Sequence, residues 1–193
     1  MIVVGDGACG KTCLLYTFRE GQFPPDNRYI PTVFDTCVVD IRTQGKRVEL
    51  SLWDTAGQEE FDRLRLLCYP GVDAVIICFS VDSPDSLENV TTKWYVEACK
   101  QAPRVPIVVV ALKADLKTDP SIVAHLARYN QTPVTYEQGR DTAAKIGAAA
   151  FVECSSIRNL NVKEVFETAA AATLETKEVA PPTTASDGCC IIL

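Results

Sequence analysis

Histidine is almost missing from this chain: His125 is the only one among 193 residues. A Ser-His-Asp or Cys-His hydrolase would have to use it as its base, and a histidine-rich metal site cannot be built. CxxC pairs are absent as well. The nine cysteines are an odd number with no secretory signal ahead of them, which fits a reducing cytosol better than a disulfide framework. Positive charge is scarce; a net charge of -6 and a pI near 4.9 argue against nucleic acid as a general partner. No arginine cluster suggests the lid of a phosphoryl-transferring kinase. Apolar runs stay at strand length, so nothing reads as a bilayer span. What is present is 47% apolar, enough for one domain with a real core.

The most informative run is Gly5-Asp6-Gly7-Ala8-Cys9-Gly10-Lys11-Thr12, directly after Ile2-Val3-Val4. It matches G-x-x-x-x-G-K-[ST] in full, in the strand-to-helix setting that the pattern requires. Such a loop aims backbone N–H groups and the positive end of the next helix at a polyphosphate. Lys11 is then placed for the β/γ-phosphates and the Thr12 hydroxyl for Mg²⁺. The plain alternative is a glycine-rich turn before a helix. The lysine, the hydroxyl and the preceding strand together make nucleotide chemistry the better reading.

Along the chain, β-branched runs alternate with helical patterns. Residues 38–41 and 48–53 flank a turn at 43–46 and predict a hairpin. Residues 74–81 and 105–112 are near-continuous hydrophobic runs, as in parallel strands buried on both faces. Residues 151–154 read as a further short strand. Ser83-Pro84 starts a helix running to Gln101. Thr135 and Gln138 form a capping box for a helix ending near Gly147. Val162, Val165, Phe166, Ala169 and Thr173 share one face of a last helix. This alternation predicts a three-layer α/β/α sandwich of the P-loop NTPase kind. Residues 118–133 interrupt it with a short helix of their own at 121–129, a surface feature suited to partners. The stretch Ala180-Pro181-Pro182-Thr183-Thr184-Ala185-Ser186-Asp187-Gly188 has the composition of a tether.

A phosphate loop alone admits ATPases, kinases and GTPases. Asp54-Thr55-Ala56-Gly57-Gln58 follows the apolar run ending at Trp53, and a carboxylate at a strand end suits Mg²⁺ through water. Gly57 can offer its N–H to a terminal phosphate, and Gln58 can orient an attacking water. An isolated D-x-x-G is usually an ordinary turn; downstream of a matched phosphate loop it is not. Base choice is read from Leu112-Lys113-Ala114-Asp115. Asp115 can accept from N1–H and the 2-amino group of guanine, whereas adenine would leave the carboxylate unpaired. Lys113 can lay its stem on the purine face, and a backbone N–H of Cys154-Ser155-Ser156 can meet O6.

On these residues the chain resembles a Rho-family small GTPase of the Ras superfamily. The motifs GDGACGKTCLL, YIPTVFD, LWDTAGQEEFDRLR and FSVDSPDSLENV, the insertion and a C-terminal CaaX box span nearly its whole length. The resemblance implies a Ras-like G domain over residues 1–178 with a mostly parallel six-stranded sheet, and a flexible tail over 179–193. It implies GTP/GDP and Mg²⁺ as ligands, with Thr32 joining Thr12 on the metal only in the GTP state. Gly7, Gly57 and Gln58 would surround the γ-phosphate, Cys13 would follow the loop, and Phe23 would pack near the base. Exchange factors, GTPase-activating proteins, a dissociation inhibitor and effectors are implied as partners, reading a surface that includes Trp53 and residues 61–67. Cytoskeletal and polarity control is what such a family suggests. The implied chemistry is electrostatic: Lys11, loop amides and Mg²⁺ stabilise the γ-phosphoryl group while Gln58 positions water.

Several positions depart from the family pattern. Leu112 stands where Asn or Thr is usual and cannot hydrogen-bond, which predicts faster nucleotide release with guanine preference kept by Asp115. Ser155-Ser156-Ile157 replaces the usual Ser-Ala-Lys or Ser-Ala-Leu, with little damage expected because the contact is through backbone. The segment from Phe23 to Thr32 reads as two residues longer than in relatives. Within it Arg28 offers a cis alternative to an arginine from a partner, against the ordinary fate of solvation. The first strand is short, as in a truncated form. Cys190-Ile191-Ile192-Leu193 fits C-a-a-X with geranylgeranylation of Cys190. One lipid holds weakly, and residues 177–193 carry one Lys against Glu178 and Asp187, so Cys189 is the candidate second anchor by palmitoylation. Residence on the cytoplasmic face of a membrane, with a cytosolic extracted pool, follows from that reading. Two rivals stand beside the switch: a fast-exchanging or non-hydrolysing GTP-bound scaffold, and a P-loop kinase.

Overall fold

The computed structural model describes residues 1–25 and 34–179. Six strands form one sheet in the order β2-β3-β1-β4-β5-β6. They are β1 (Ile2–Gly5), β2 (Phe34–Thr43), β3 (Lys46–Thr55), β4 (Val75–Ser80), β5 (Ile107–Leu112) and β6 (Ala150–Glu153). Only β2 runs antiparallel, paired with β3 through the predicted hairpin. Its turn places Gln44 at φ 48° and Gly45 at φ 74°. Both central residues are left-handed, as a two-residue loop needs to match the strand twist.

Helices cover both faces of the sheet. On one side α1 (Lys11–Glu20) and α7 (Val162–Val179) bury Leu14, Leu15, Val162, Val165, Phe166 and Ala169 against Val3, Ile76, Cys78 and Val110. On the other side Trp94, Val90, Ala98, Ala143 and Tyr69 close over Val4, Ile77, Phe79 and Val109. Burial on both faces is why these strands are nearly all Val and Ile with no polar alternation. β1 is short, four residues, yet central: it pairs with β3 and β4, and every residue is buried.

Element starts follow local chemistry. Ser83 accepts from Ser86 N, with Pro84 at the first helical position of α3 (Pro84–Asn89). Thr135 and Gln138 bond reciprocally ahead of α6 (Tyr136–Lys145). In the insertion, α5 (Pro120–Ala127) is shorter than the expected 121–129 and opens one residue earlier, because Asp119 caps it and Pro120 fits its first turn. β5 starts at Ile107, later than the apolar run at 105, since Pro106 has no N–H to give the ladder. The helix expected from Ser83 to Gln101 is continuous but not uniform. Residues Val90–Trp94 form a π turn between α3 and α4 (Tyr95–Gln101).

Thr32, Arg28, Cys189 and Cys190 lie outside the described residues, as do the length of the 26–33 segment and the tail from 180. No helix among the described residues is long and apolar enough to cross a membrane.

Candidate nucleotide site

The phosphate loop leaves β1 at Gly5 and enters α1 at Lys11. Gly5 sits at φ 145°, and a Cβ there would come within 2.2 Å of the Cys78 carbonyl of β4. Only glycine lets the loop part from the sheet so close to its neighbour strand. Gly10, at φ 111°, is the N-cap of α1 and supplies no side-chain cap to the helix. The N–H groups that open a helix suit an anion. Lys11 is buried to 6% exposure, its Nζ donating to the carbonyls of Gly5 and Asp6 at 2.8 Å each. Its charge therefore stays inside the loop.

Gly57 lies directly on this loop: a Cβ added there would be 2.3 Å from the Gly5 carbonyl oxygen and 2.4 Å from Gly7 N. The Gln58 side chain flanks Gly7, with its Cδ 3.5 Å from where a Gly7 Cβ would stand. Gly7, Lys11, Gly57 and Gln58 thus come together although they span more than fifty residues of chain. Thr12 and Asp54, at the end of β3, border one small cavity of about 40 Å³ together with Asp35 and Thr36. Asp54 is 5% exposed. Cys37 and Arg19 line the same cavity, and its oxygen donors, the Thr12 hydroxyl and the Asp54 carboxylate among them, are the hard ligands that suit Mg²⁺.

At the end of β5, Leu112 is fully buried and packs on the phosphate loop, its Cδ1 3.6 Å from the Cβ position of Gly10. Lys113 adopts φ 58° and pairs with Asp82 at 3.2 Å. Asp115 accepts a hydrogen bond from Ser155 Oγ, and Ala114 N donates to the Cys154 carbonyl at 3.0 Å, so the two base segments brace each other. Ser155 and Ser156 are buried, and Phe23 is half-buried. Burial, with the Asp115 charge, pushes the Cys154 thiol up to about 12. Burial also raises the Cys9 thiol, against the opposing pull of Lys11, so Cys9 is a structural thiol. The half-buried Cys13 thiol is raised by burial too, with Lys113 opposing.

Two charged residues are placed in ways that their sequence context does not announce. The carboxylate of Asp6 takes no part in the loop's phosphate-facing side. It accepts from Trp94 Nε1 at 2.7 Å and from Asn89 Nδ2 at 2.8 Å, leaving only its backbone to a ligand. The stretch 61–67, which carries α2 (Asp62–Leu66), divides its side chains between surface and interior. Leu64 and Leu67 are 47% and 75% exposed, while Arg65 between them is 2% exposed. Arg65 donates through Nε and Nη2 to Glu97 at 2.8 Å, through Nη2 to Asp62 at 2.7 Å, and through Nη1 to the Ala56 carbonyl at 3.0 Å. Burial works against its charge, but Glu97 and Asp62 more than offset this and hold the guanidinium protonated above its ordinary range. The guanidinium lies over the Trp94 ring, 4.7 Å from the centroid. Nothing in a D-R-L-R-L run separates a buried arginine from a solvated one.

A larger cavity of about 680 Å³ between α1, the β2–β3 hairpin and the start of α7 contains none of these residues.

A strand–loop–helix phosphate cradle, a strand-end carboxylate beside its hydroxyl, and a braced Asp/Ser pair opposite are the arrangement of a P-loop nucleotide-binding domain. A sequence model of the Ras family matches residues 1–175. The GTP-binding protein rho1 of Schizosaccharomyces pombe is 53% identical over 174 residues, 90% of this chain and 85% of its own length. The GTP-binding protein rho5 of the same yeast is 49% identical over 194 residues, 100% of this chain and 96% of its own length. The human Rho-related GTP-binding protein RhoB is 53% identical over 175 residues, 91% and 88% of the two chains. The chain belongs to the Ras family, in its Rho group of small GTPases.

Proposed function

We propose that this chain is a Rho-type switch that binds GTP and GDP with Mg²⁺, hydrolyses GTP, and signals through its two switch segments to regulators and effectors. The observation that carries the reading is the convergence of Gly7, Lys11, Gly57 and Gln58 on one loop. Thr12 and Asp54, the latter through water, are the described residues suited to hold Mg²⁺, with Thr32 added in the GTP state. When bound, the ion neutralises phosphate oxygens. Lys11 and the loop amides draw the negative charge that builds on the β–γ bridging oxygen and the γ-phosphoryl group. Gln58 orients a water whose oxygen bonds to the γ-phosphorus as the bond to the bridging oxygen breaks, yielding GDP and phosphate. Asp115, held by Ser155, accepts from guanine and rejects adenine, which offers no matching donors. Loss of the γ-phosphate releases Thr32 and Gly57, which is the switch.

Family likeness supports exchange factors, activating proteins, a dissociation inhibitor and effectors as partners, and control of actin and polarity as the process. Geranylgeranylation at Cys190, with palmitoylation at Cys189, supplies the two anchors that stable membrane residence needs.

The test is titration of the purified chain with fluorescent GDP, GTP and ATP, followed by single-turnover hydrolysis with and without a Mg²⁺ chelator. Tight guanine-selective binding and slow, chelator-sensitive hydrolysis are expected; equal affinity for ATP overturns the reading.

A further inference from the structure

The peptide joining Ala56 to Gly57 is held from one end by a buried cation. A trans peptide is rigid and planar, and its C=O and N–H leave on opposite sides. Fixing the Ala56 carbonyl therefore fixes the direction of the Gly57 N–H, the group that the proposed function assigns to the γ-phosphate. Arg65 Nη1 does that fixing at 3.0 Å. Three of its other N–H groups go to Glu97 and Asp62, and Tyr69 Oη donates to the same Glu97 carboxylate at 2.9 Å, so the guanidinium is held from several sides.

The same cluster reaches the phosphate loop from the other side. Arg65 lies on Trp94, and Trp94 Nε1 donates to the Asp6 carboxylate, which Asn89 also holds. Asn89 and Trp94 are five residues apart, and in an α-helix their side chains would point about 140° away from each other. The π turn Val90–Trp94 widens the helix and brings both onto one face. One helix thus holds the phosphate loop through Asp6 and, through Glu97 and Arg65, the peptide that must meet it.

We infer that Arg65 is a positioning residue for the γ-phosphate contact of Gly57, clamping the Ala56–Gly57 peptide in register with the Asp6-anchored loop. This rests on the nucleotide reading above. The clamp acts on a contact that GTP makes and GDP does not, so its loss separates the two nucleotides. A merely structural role weakens both alike.

The experiment compares full-length wild type, Arg65→Lys and Glu97→Gln, each loaded with GDP and checked by thermal unfolding. Lysine keeps the buried charge but, as a point donor, cannot hold both carboxylates and the Ala56 carbonyl. Glutamine keeps the acceptor's shape without its charge. Affinities for GDP and for a non-hydrolysable GTP analogue are measured by fluorescent-nucleotide displacement, with single-turnover hydrolysis alongside. Arg65→Lys is expected to weaken the GTP analogue about tenfold and slow hydrolysis to match, with GDP affinity within about twofold. Glu97→Gln shifts the ratio in the same direction, by about threefold. An unchanged ratio in both variants, or equal losses for both nucleotides, overturns the clamp while leaving the function intact. A wild type with no preference for GTP over ATP overturns the underlying reading instead.

Discussion

Leu112 shows how one side chain can keep a contact and lose its chemistry. It ends β5 fully buried and lies against Gly10 of the phosphate loop, where a polar residue could tie the base segment to the loop by a hydrogen bond. Dispersion replaces that bond, and dispersion has no directional preference. Asp115 is braced independently, by Ser155, so its proposed part in guanine recognition does not depend on position 112. We therefore expect Leu112→Asn to slow GDP dissociation about fivefold, in line with one net hydrogen bond of about 1 kcal/mol. Dissociation at an unchanged or faster rate in a fluorescent-GDP chase would count against the idea. Asp6 teaches the complementary lesson. Its place in the motif announces a phosphate-loop residue, and its backbone is one, but its carboxylate serves Asn89 and Trp94.

Among the elements, α6 shows local and tertiary preferences in conflict. Gly139 lies in its interior, where glycine costs about 1 kcal/mol against alanine. The reason is packing: a Cβ there would stand 2.5 Å from Cζ of Phe151 and 3.1 Å from Cζ of Phe79. The Phe151 ring stacks on Phe79 and tilts against Tyr136, so it has little room to yield. Gly139→Ala should lower stability by about 1 kcal/mol, the overpacking penalty exceeding the helix gain. A urea midpoint at or above wild type would refute this. Starts of elements were legible in the sequence because caps are local: Ser83 with Pro84 and Thr135 with Gln138 act within one turn. The π turn was not, since the carboxylate that Asn89 and Trp94 reach across it, Asp6, lies more than eighty residues away in the chain.

For the molecule as a whole, buried thiols set a limit on alkaline stability. Burial raises the Cys9, Cys78 and Cys154 thiols above their ordinary 9.0, the last to about 12. In the unfolded chain these thiols ionise from about pH 9, while the folded ones stay protonated. Above that pH the unfolded state binds fewer protons, so stability is full below 9 and falls as pH rises toward 12. The Cys154 share alone comes to roughly 2 kcal/mol at about pH 10.5. Urea unfolding at about pH 8 and pH 10.5 checks it: the midpoint should drop, and Cys154→Ala should flatten the drop. Equal slopes in the two proteins would show that Cys154 is not responsible.

The sequence by itself determined the alternation of strands and helices, the hairpin and the phosphate loop. Each is written in contiguous residues whose periodicity, glycines or caps dictate backbone shape directly. It also named Gly57, Gln58 and Asp115, because position at a strand end is a local property. Only the tertiary structure decided which charges are interior. Arg65 and Glu97 are 32 residues apart, and Asp6 and Trp94 are 88 apart. Whether a charged side chain is solvated or enclosed depends on what packs against it, and neither its neighbours in the chain nor its spacing carries that information.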